Sequence, residues 1–493
     1  VDTQVPLTKE EYIKEMKKQF NDSPDLICKE FQFRNQTLVI HFVNYQVKKD
    51  LLERDLLGTL TSAKRAWSVE DLQNKIPLAS STVERSLANI SPALIHGSVS
   101  VYIEGESQVV LFALPNLERR ALNRAETESL VFGPQISFTE SLVTNMNVIR
   151  WRLDTDDLVV EKLIVGERIK SEVRLVYLKS LANEENVQTM RQRISDLKVD
   201  EVEDTSVLGQ MIEDSSSTVF PQLITTELPD RFCNSISKGR VGVLVDKSPT
   251  TLIGPMSFFN FFESTEDLYM RWNMGTFIRF LRLFAMFLSI VLTPFYVAAL
   301  TYHYEIIPSS LLISLGQSRA TVPFPPVIEA LLLEMLIEFL REAGARLPTK
   351  VGQTMGIVGG IVLGQAAVKA GFTSNILIII IALSALASFT APSYLMGSAI
   401  RIIRFPIIIL AGAWGLIGIV FALSFLAIHL LKQHSLGRPY LAPLYPFEWK
   451  DFNDTIFRTT FQKNDRRPNY IMTKDRYRFD KQKSNKKNDV KRI

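Results

Sequence analysis

Residues 283–300 read LFAMFLSIVLTPFYVAAL, 18 residues without a charge. A run of that length exceeds a buried core helix and matches the hydrocarbon thickness of a bilayer. Residues 351–368 and 375–400 are also uncharged, and 406–431 carries His429 as its sole ionisable group. Nearly all the long apolar runs lie between 277 and 431, behind a stretch of ordinary water-soluble composition. The asymmetry predicts a multi-pass α-helical membrane protein with N-terminal cytoplasmic α/β domains in two subdomains. The expected division is 1–125 and 126–265 for the two soluble subdomains and 266–435 for a membrane domain of four to five helices. Residues 436–493 then form a basic cytoplasmic tail, partly disordered and lying against anionic lipid.

In the soluble part, period-two alternation predicts strands over 26–33 and 37–43, and 99–103 with 109–113 reads as a hairpin around Gly105. Residues 9–20, 68–75, 81–88 and 185–197 read as helices, as does 138–153 with Ser137 as N-cap. No internal repeat is visible. Residues 239–255, GRVGVLVDKSPTTLIGP, have glycines near a strand but no phosphate-cradling helix after it.

Arg271, Arg279 and Arg282 precede the first span and place its start on the cytoplasmic side, and the basic tail places the chain's end there too. An even number of crossings is then required, yet five hydrophobic segments can be counted. The odd one, 327–340, carries Glu329, Glu334 and Glu338. A carboxylate at a helix centre costs roughly 2.5–3.5 kcal/mol on insertion, so this segment is expected to be re-entrant, interfacial or buried in a bundle. Glu334, Glu338 and Arg341 share one helical face and serve either to attract cations or, as Glu338 with Arg341, to form an i,i+3 pair.

The net charge of +4 implies no nucleic-acid partner. Cys28 and Cys233 form no CxxC pair, which fits a reduced, cytoplasmic soluble part. The first twenty residues have no apolar signal-type stretch, so insertion is expected to begin at the first internal hydrophobic segment. Phosphate-binding, zinc-protease and nucleophile-elbow motifs are absent, so no catalytic, cofactor-binding or metal site is expected.

In residues 351–370, VGQTMGIVGGIVLGQAAVKA, Gly352, Gly356, Gly360 and Gly364 recur every four residues. Small residues at that spacing let helices approach closely in lipid. At about 100° per residue, Val358, Val362, Gln365 and Lys369 share the opposite face. In an oligomer that face lines a narrow pore, with the two valines as an apolar constriction. The alternative is that both faces pack inside one bundle and Lys369 snorkels to the interface.

Several strings resemble one family: GPQISFTESLVTNMNVIRWRL (133–153), GPMSFFNFFESTEDLYMRW (254–272), VPFPPVIEALLLEMLIEFLREAGARLP (322–348), the glycine helix, and LGRPYLAP (436–443). They are similar to the GerA family of bacterial spore germination proteins, and within it to the germinant-receptor A subunits and, in overall likeness, SpoVAF. The resemblance implies the spore inner membrane, other spore membrane germination proteins as partners, and a homo-oligomer with a central path for monovalent cations. A cation channel, or its channel subunit, that opens during germination is therefore expected, with 351–369 as the pore helix. A non-conducting receptor or scaffold subunit that relays a signal is the alternative, and a secondary transporter ranks below it because the glycine helix has no second copy.

Overall fold

Two antiparallel five-stranded sheets organise the soluble part of the computed structural model, which describes residues 4–33, 36–63, 65–116, 124–125, 128, 130, 132–346, 362, 364–460 and 464–479. The first sheet contains β1 (Leu26–Phe33), β2 (Gln36–Val43), β3 (Ser81–Glu84), β4 (Ser98–Ile103) and β5 (Val109–Ala113) in the order β1-β2-β4-β5-β3. The second contains β6 (Leu158–Val165), β7 (Ser171–Leu178), β8 (Ile224–Thr226), β9 (Val241–Val245) and β10 (Thr251–Gly254) in the order β6-β7-β9-β10-β8. The two orders are the same, and every pairing is antiparallel in both.

The helices repeat as well. α1 (Lys9–Gln19) precedes β1, a helical stretch at 49–62 and α2 (Val69–Lys75) join β2 to β3, and α3 (Leu87–Ile95) joins β3 to β4. Their counterparts in the second unit are α4 (Leu142–Arg152), α5 (Glu184–Ser195) with α6 (Thr205–Ile212), and α7 (Pro229–Ser237). Layering follows the same rule. Tyr12, Met16 and Leu94 cover one sheet face and Leu56, Leu60 and Leu72 the other. Met146, Ile149 and Phe232 cover one face of the second sheet, and Val187, Met190 and Leu208 its other face. The absence of a visible repeat is thus corrected at the level of the fold: burial on both faces asks for apolar residues in a pattern, not for particular ones. Residues 81–88 are corrected too, since Ser81–Glu84 is an edge strand paired with β5 and the helix begins at Leu87.

α4 seals the two units together. Its cap is Ser141, whose hydroxyl accepts from Thr144 N–H, four residues after the expected start. Met146 and Ile149 enter the second core while Arg150, fully buried, reaches back to Asp25 of the first unit at 2.7 Å. Asn147 donates to the carbonyls of Tyr45 and Asn116, each at 2.8 Å. A helix buried on an apolar side and a polar side shows no amphipathic stripe.

The apolar block begins with α8 (Trp272–Thr301), followed by α9 (Ser309–Arg319), α10 (Pro326–Arg346), α11 (Asn375–Ser388) and α12 (Tyr394–Lys432). Among the described residues α8 and α12 are long and apolar enough to cross a membrane. α12, at 39 residues, would extend about 58 Å if straight. It is not straight. Gly415 adopts φ 62° and ψ −139°, and the chain doubles back there. Gly418 then passes so close to the Leu410 backbone that a Cβ has no room. Met396 and Ile400 near one end share a core with Leu430 near the other. Residues 394–414 and 416–432 are therefore two antiparallel arms, with their turn against Tyr302 and His303 at the far end of α8.

The uncharged run 375–400 is likewise not one helix. It breaks after Ser388, and Phe389–Pro392 line a pocket with Leu228, Arg231 and Arg282 at the soluble domain. Arg279 and Arg282 are buried at that junction on Asp267, the Arg279 contact being 3.0 Å. Residues 433–460 and 464–479 do not trail away. Tyr440 donates to Pro221 O at 2.7 Å, Asp214 accepts from Leu436 N–H at 2.6 Å, and Arg438 meets Glu185 at 2.7 Å. Residues 433–460 and 464–479 thus lie on the side from which α8 departs.

Gly415→Ala should cost about 1–3 kcal/mol, because the left-handed backbone disfavours a Cβ and Tyr302 and His303 occupy the space; thermal unfolding of the detergent-purified chain measures it. His41 on β2 is buried with neither ring nitrogen bonded among the described residues. Burial, aided by Lys17, lowers its pKa to about 4. The folded value lies below the roughly 6.5 of an unfolded histidine, so this contribution is complete above about pH 6.5 and is lost as the pH falls toward 4. The loss should approach about 3 kcal/mol, and in melting curves wild type should lose about that much more stability than His41→Leu between pH 7 and pH 4.

Candidate functional site

α10 carries its carboxylates into the apolar block, and each finds an arginine. Glu334 and Arg404 are 2.7 Å apart, each with a side chain 2% exposed. Thr293 donates to Glu334 at 2.9 Å, Arg404 donates to Ser289 Oγ at 2.6 Å, and Ser384 donates to Ser289 O at 3.1 Å. This one network joins α8, α10, α11 and the first arm of α12.

Glu329, buried and on another face of α10, accepts from Ser374 N–H at 2.6 Å and Thr373 Oγ1 at 3.0 Å, with Arg319 at 3.5 Å. It therefore holds the N-terminus of α11 at the end away from the soluble part. Glu338 lies 3.1 Å from Arg341 and 3.5 Å from Arg401. Arg341 also stacks over Phe389, 4.6 Å from the ring centroid, and donates to Ser388 Oγ at 3.3 Å. Both arginines thus stand at the end of the bundle nearer the soluble domain.

Buried charges demand this pairing, since removing one partner leaves the other uncompensated in a low dielectric. Glu334, Glu338 and Arg341 are legible in the sequence as candidates, whereas the roles of Arg404 and Arg319 as partners of Glu334 and Glu329 are not. The available signal was an arginine interrupting an apolar run, as Arg401 and Arg404 do between 375–400 and 406–431.

Of the glycine helix, Gly352, Gly356, Val358 and Gly360 lie outside the described residues. Its described end is helical at 364–369 and closes on Gly371, φ 68°. Phe372 N–H bonds Ala367 O at 2.8 Å and Gly371 N–H bonds Val368 O at 2.9 Å, a Schellman closure. A Cβ on Gly371 would approach Thr321 O at 2.9 Å, so glycine is needed where the helix end meets the α9–α10 connection. Val362 is 56% exposed, Gln365 and Lys369 are exposed, and a Cβ on Gly364 would meet nothing within 4 Å. Both faces of this helix segment are therefore uncovered. Among the described residues no three His, Cys, Asp or Glu side chains stand together as metal ligands.

Comparison with known proteins agrees over nearly the whole chain. The family model described as Bacillus/Clostridium GerA spore germination protein matches residues 14–470. The chain belongs to the GerA family. It is 43% identical over 458 residues to the spore germination protein GerQA of Bacillus cereus, covering 93% of this chain and 92% of that one. It is 44% identical over 408 residues to GerIA of the same organism, covering 83% of this chain and 61% of that protein. A solved structure, the N-terminal domain of the A subunit of the Bacillus megaterium spore germinant receptor GerK3, aligns at 21% identity with a TM-score of 0.42, over 52% of this chain and 98% of that one.

The match to the GerA family spans both sheets, the charged bundle and the docked part of the tail. The finer likeness to SpoVAF finds no support in these relatives.

The buried pair can be tested directly. Arg404→Met should destabilise this GerA-family chain by about 3–5 kcal/mol, whereas Arg404→Met with Glu334→Leu should recover most of that loss. Unfolding of both variants in detergent, compared as a double-mutant cycle, gives the coupling.

Proposed function

We propose that this chain is a membrane-embedded subunit of a spore germination assembly, and that it oligomerises through the glycine helix to form a path for monovalent cations. The observation carrying this reading is that the described end of that helix, residues 362 and 364–369, is exposed on both faces. Val362, Gln365 and Lys369 stand uncovered on one side and Gly364 on the other. A small residue left open at the described end of such a helix suits close backbone packing against another copy. Val358 and Val362 then form the apolar constriction of the path, and Lys369 lies at the end where Gly371 meets Thr321.

In this reading the chain crosses the spore inner membrane six times. The crossings are α8, α10, the glycine helix, α11 and the two arms of α12. Six is even, as required by a soluble part and a docked tail on one side. Counting the hairpin as two crossings and admitting α10, whose carboxylates are all paired, removes the odd count of the apolar runs. Phe277, Phe284, Phe287, Phe421 and Phe425, all more than half exposed, supply lipid-facing surface. Because relatives above 40% identity, GerQA and GerIA of Bacillus cereus, are named spore germination proteins, other spore membrane germination proteins are the expected partners. A non-conducting receptor or scaffold is the second reading, favoured by a polar cavity at the junction of the soluble and apolar parts.

Membrane potential and potassium retention in growing bacteria that express the chain, with and without its co-encoded membrane partners, separate these readings. Val362→Ala should increase ion loss and Gly364→Leu should abolish it. No ion loss in any combination, despite confirmed insertion, would favour the scaffold. For the crossing of α10, Thr321→Cys and Gly344→Cys should label from opposite sides of the membrane, and labelling from one side would exclude it.

A further inference from the structure

Between α7, the start of α8 and the docked tail lies a cavity of about 620 Å3. Its described lining carries Arg152, Lys238, Arg279, Arg458 and Arg478 against a single carboxylate, Asp230. Asp230 is committed to Arg152, and Arg279 is held by Asp267 at 3.0 Å from outside the cavity lining. Arg458 donates to the carbonyls of Leu268, at 2.7 Å, and Met270. Arg478 stands exposed at the cavity with no carboxylate partner among the described residues. Like charges gathered round one space repel, and an entering anion relieves that repulsion.

Two hydroxyls in the same wall point to the same chemistry. Thr265, 5% exposed, and Thr459 have buried Oγ1 atoms with no hydrogen-bond partner among the described residues. A buried hydroxyl without a partner is disfavoured, and a native structure that keeps one calls for an explanation. Each can donate to an anionic oxygen. Arg152 adds a buried Nε–H that is also unpartnered among the described residues.

The place matters as much as the charge. Trp151 and Tyr269, each 50% exposed, line the cavity, and Trp272, 52% exposed, begins α8 beside it. Aromatic rings of this kind mark the boundary between water and membrane. The cavity volume lies within the range of small-molecule sites, which leaves room for what carries the anion.

We propose that this cavity binds a phosphate group, with Thr265 and Thr459 as hydroxyl donors and the surrounding arginines and Lys238 as counter-charge. A lipid headgroup and a free phosphate present the same oxygens to these groups. Occupancy ties α7 of the soluble part to α8 and to the tail, so the site joins the three segments that meet where the chain enters the apolar block. The site stands whether or not the glycine helix conducts, and its test reads binding rather than ion flow.

The full chain in phosphatidylcholine nanodiscs is titrated with inorganic phosphate by calorimetry. Its melting temperature is then compared in discs with and without phosphatidylglycerol. Thr265→Val keeps the shape of the side chain and removes only the unpartnered hydroxyl, so it should fold at least as well as wild type. Arg478→Gln alters an exposed side chain. Saturable phosphate binding that each variant weakens about tenfold supports the proposal with free phosphate as the source. Stabilisation by phosphatidylglycerol alone, lost in both variants, supports it with a lipid headgroup as the source. Neither effect, or effects indifferent to both variants, overturns it.

Discussion

The carboxylate of Glu334 cannot stay in an apolar bundle unless something neutralises it, and Arg404 does so at 2.7 Å. That requirement fixes more than one contact. Arg404 lies on the first arm of α12, and its second hydrogen bond goes to Ser289 of α8. Thr293, one turn further along α8, completes the set on Glu334. Four helices are thus registered against one another by a few polar groups. Between helices that pack in lipid, hydrogen bonds of this kind take the place of a hydrophobic drive. Replacing a buried ion pair by an apolar pair of similar volume is often neutral, whereas removing one charge leaves the other uncompensated.

A second constraint joins the bundle to the soluble part. Asp267 holds Arg279 and Arg282 on the first turns of α8, and Thr455 O accepts from Arg279 at 3.1 Å. The tail therefore touches the same charges that anchor the first apolar helix. Behind this junction stand two units of one topology, sealed by the buried Arg150–Asp25 pair. Motion of either unit relative to the apolar block would have to break or carry these ion pairs. That is a mechanical basis for the soluble domains to bear on the bundle.

Legibility differed from element to element for physical reasons. β1 and β2 were readable because alternating side chains leave a period of two, and the hairpin at Gly105 because a turn with φ 92° favours glycine. β3 was misread as helix: at four residues it is an edge strand whose pairing with β5, not its composition, makes it a strand. β8, three residues long, and α7 were not anticipated at all. The start of α4 was placed too early because Ser137 and Ser141 are equally good caps on paper. The hairpin in α12 was invisible because a lone glycine inside an uncharged run carries no signal until its neighbours are known.

The sequence by itself determined the class of the molecule: long uncharged runs behind an ordinary soluble part, three glutamates that needed partners, and strings that placed it among spore germination proteins. These follow from local chemistry, which composition and spacing record directly. Only the tertiary structure decided that Glu334 pairs with an arginine 70 residues away, that the two sheets are copies of one topology, that the last apolar run turns back at Gly415, and that the segment around Tyr440 docks on the soluble part. Each of these depends on which surfaces meet, and contact across long sequence separation leaves no periodic trace in the chain.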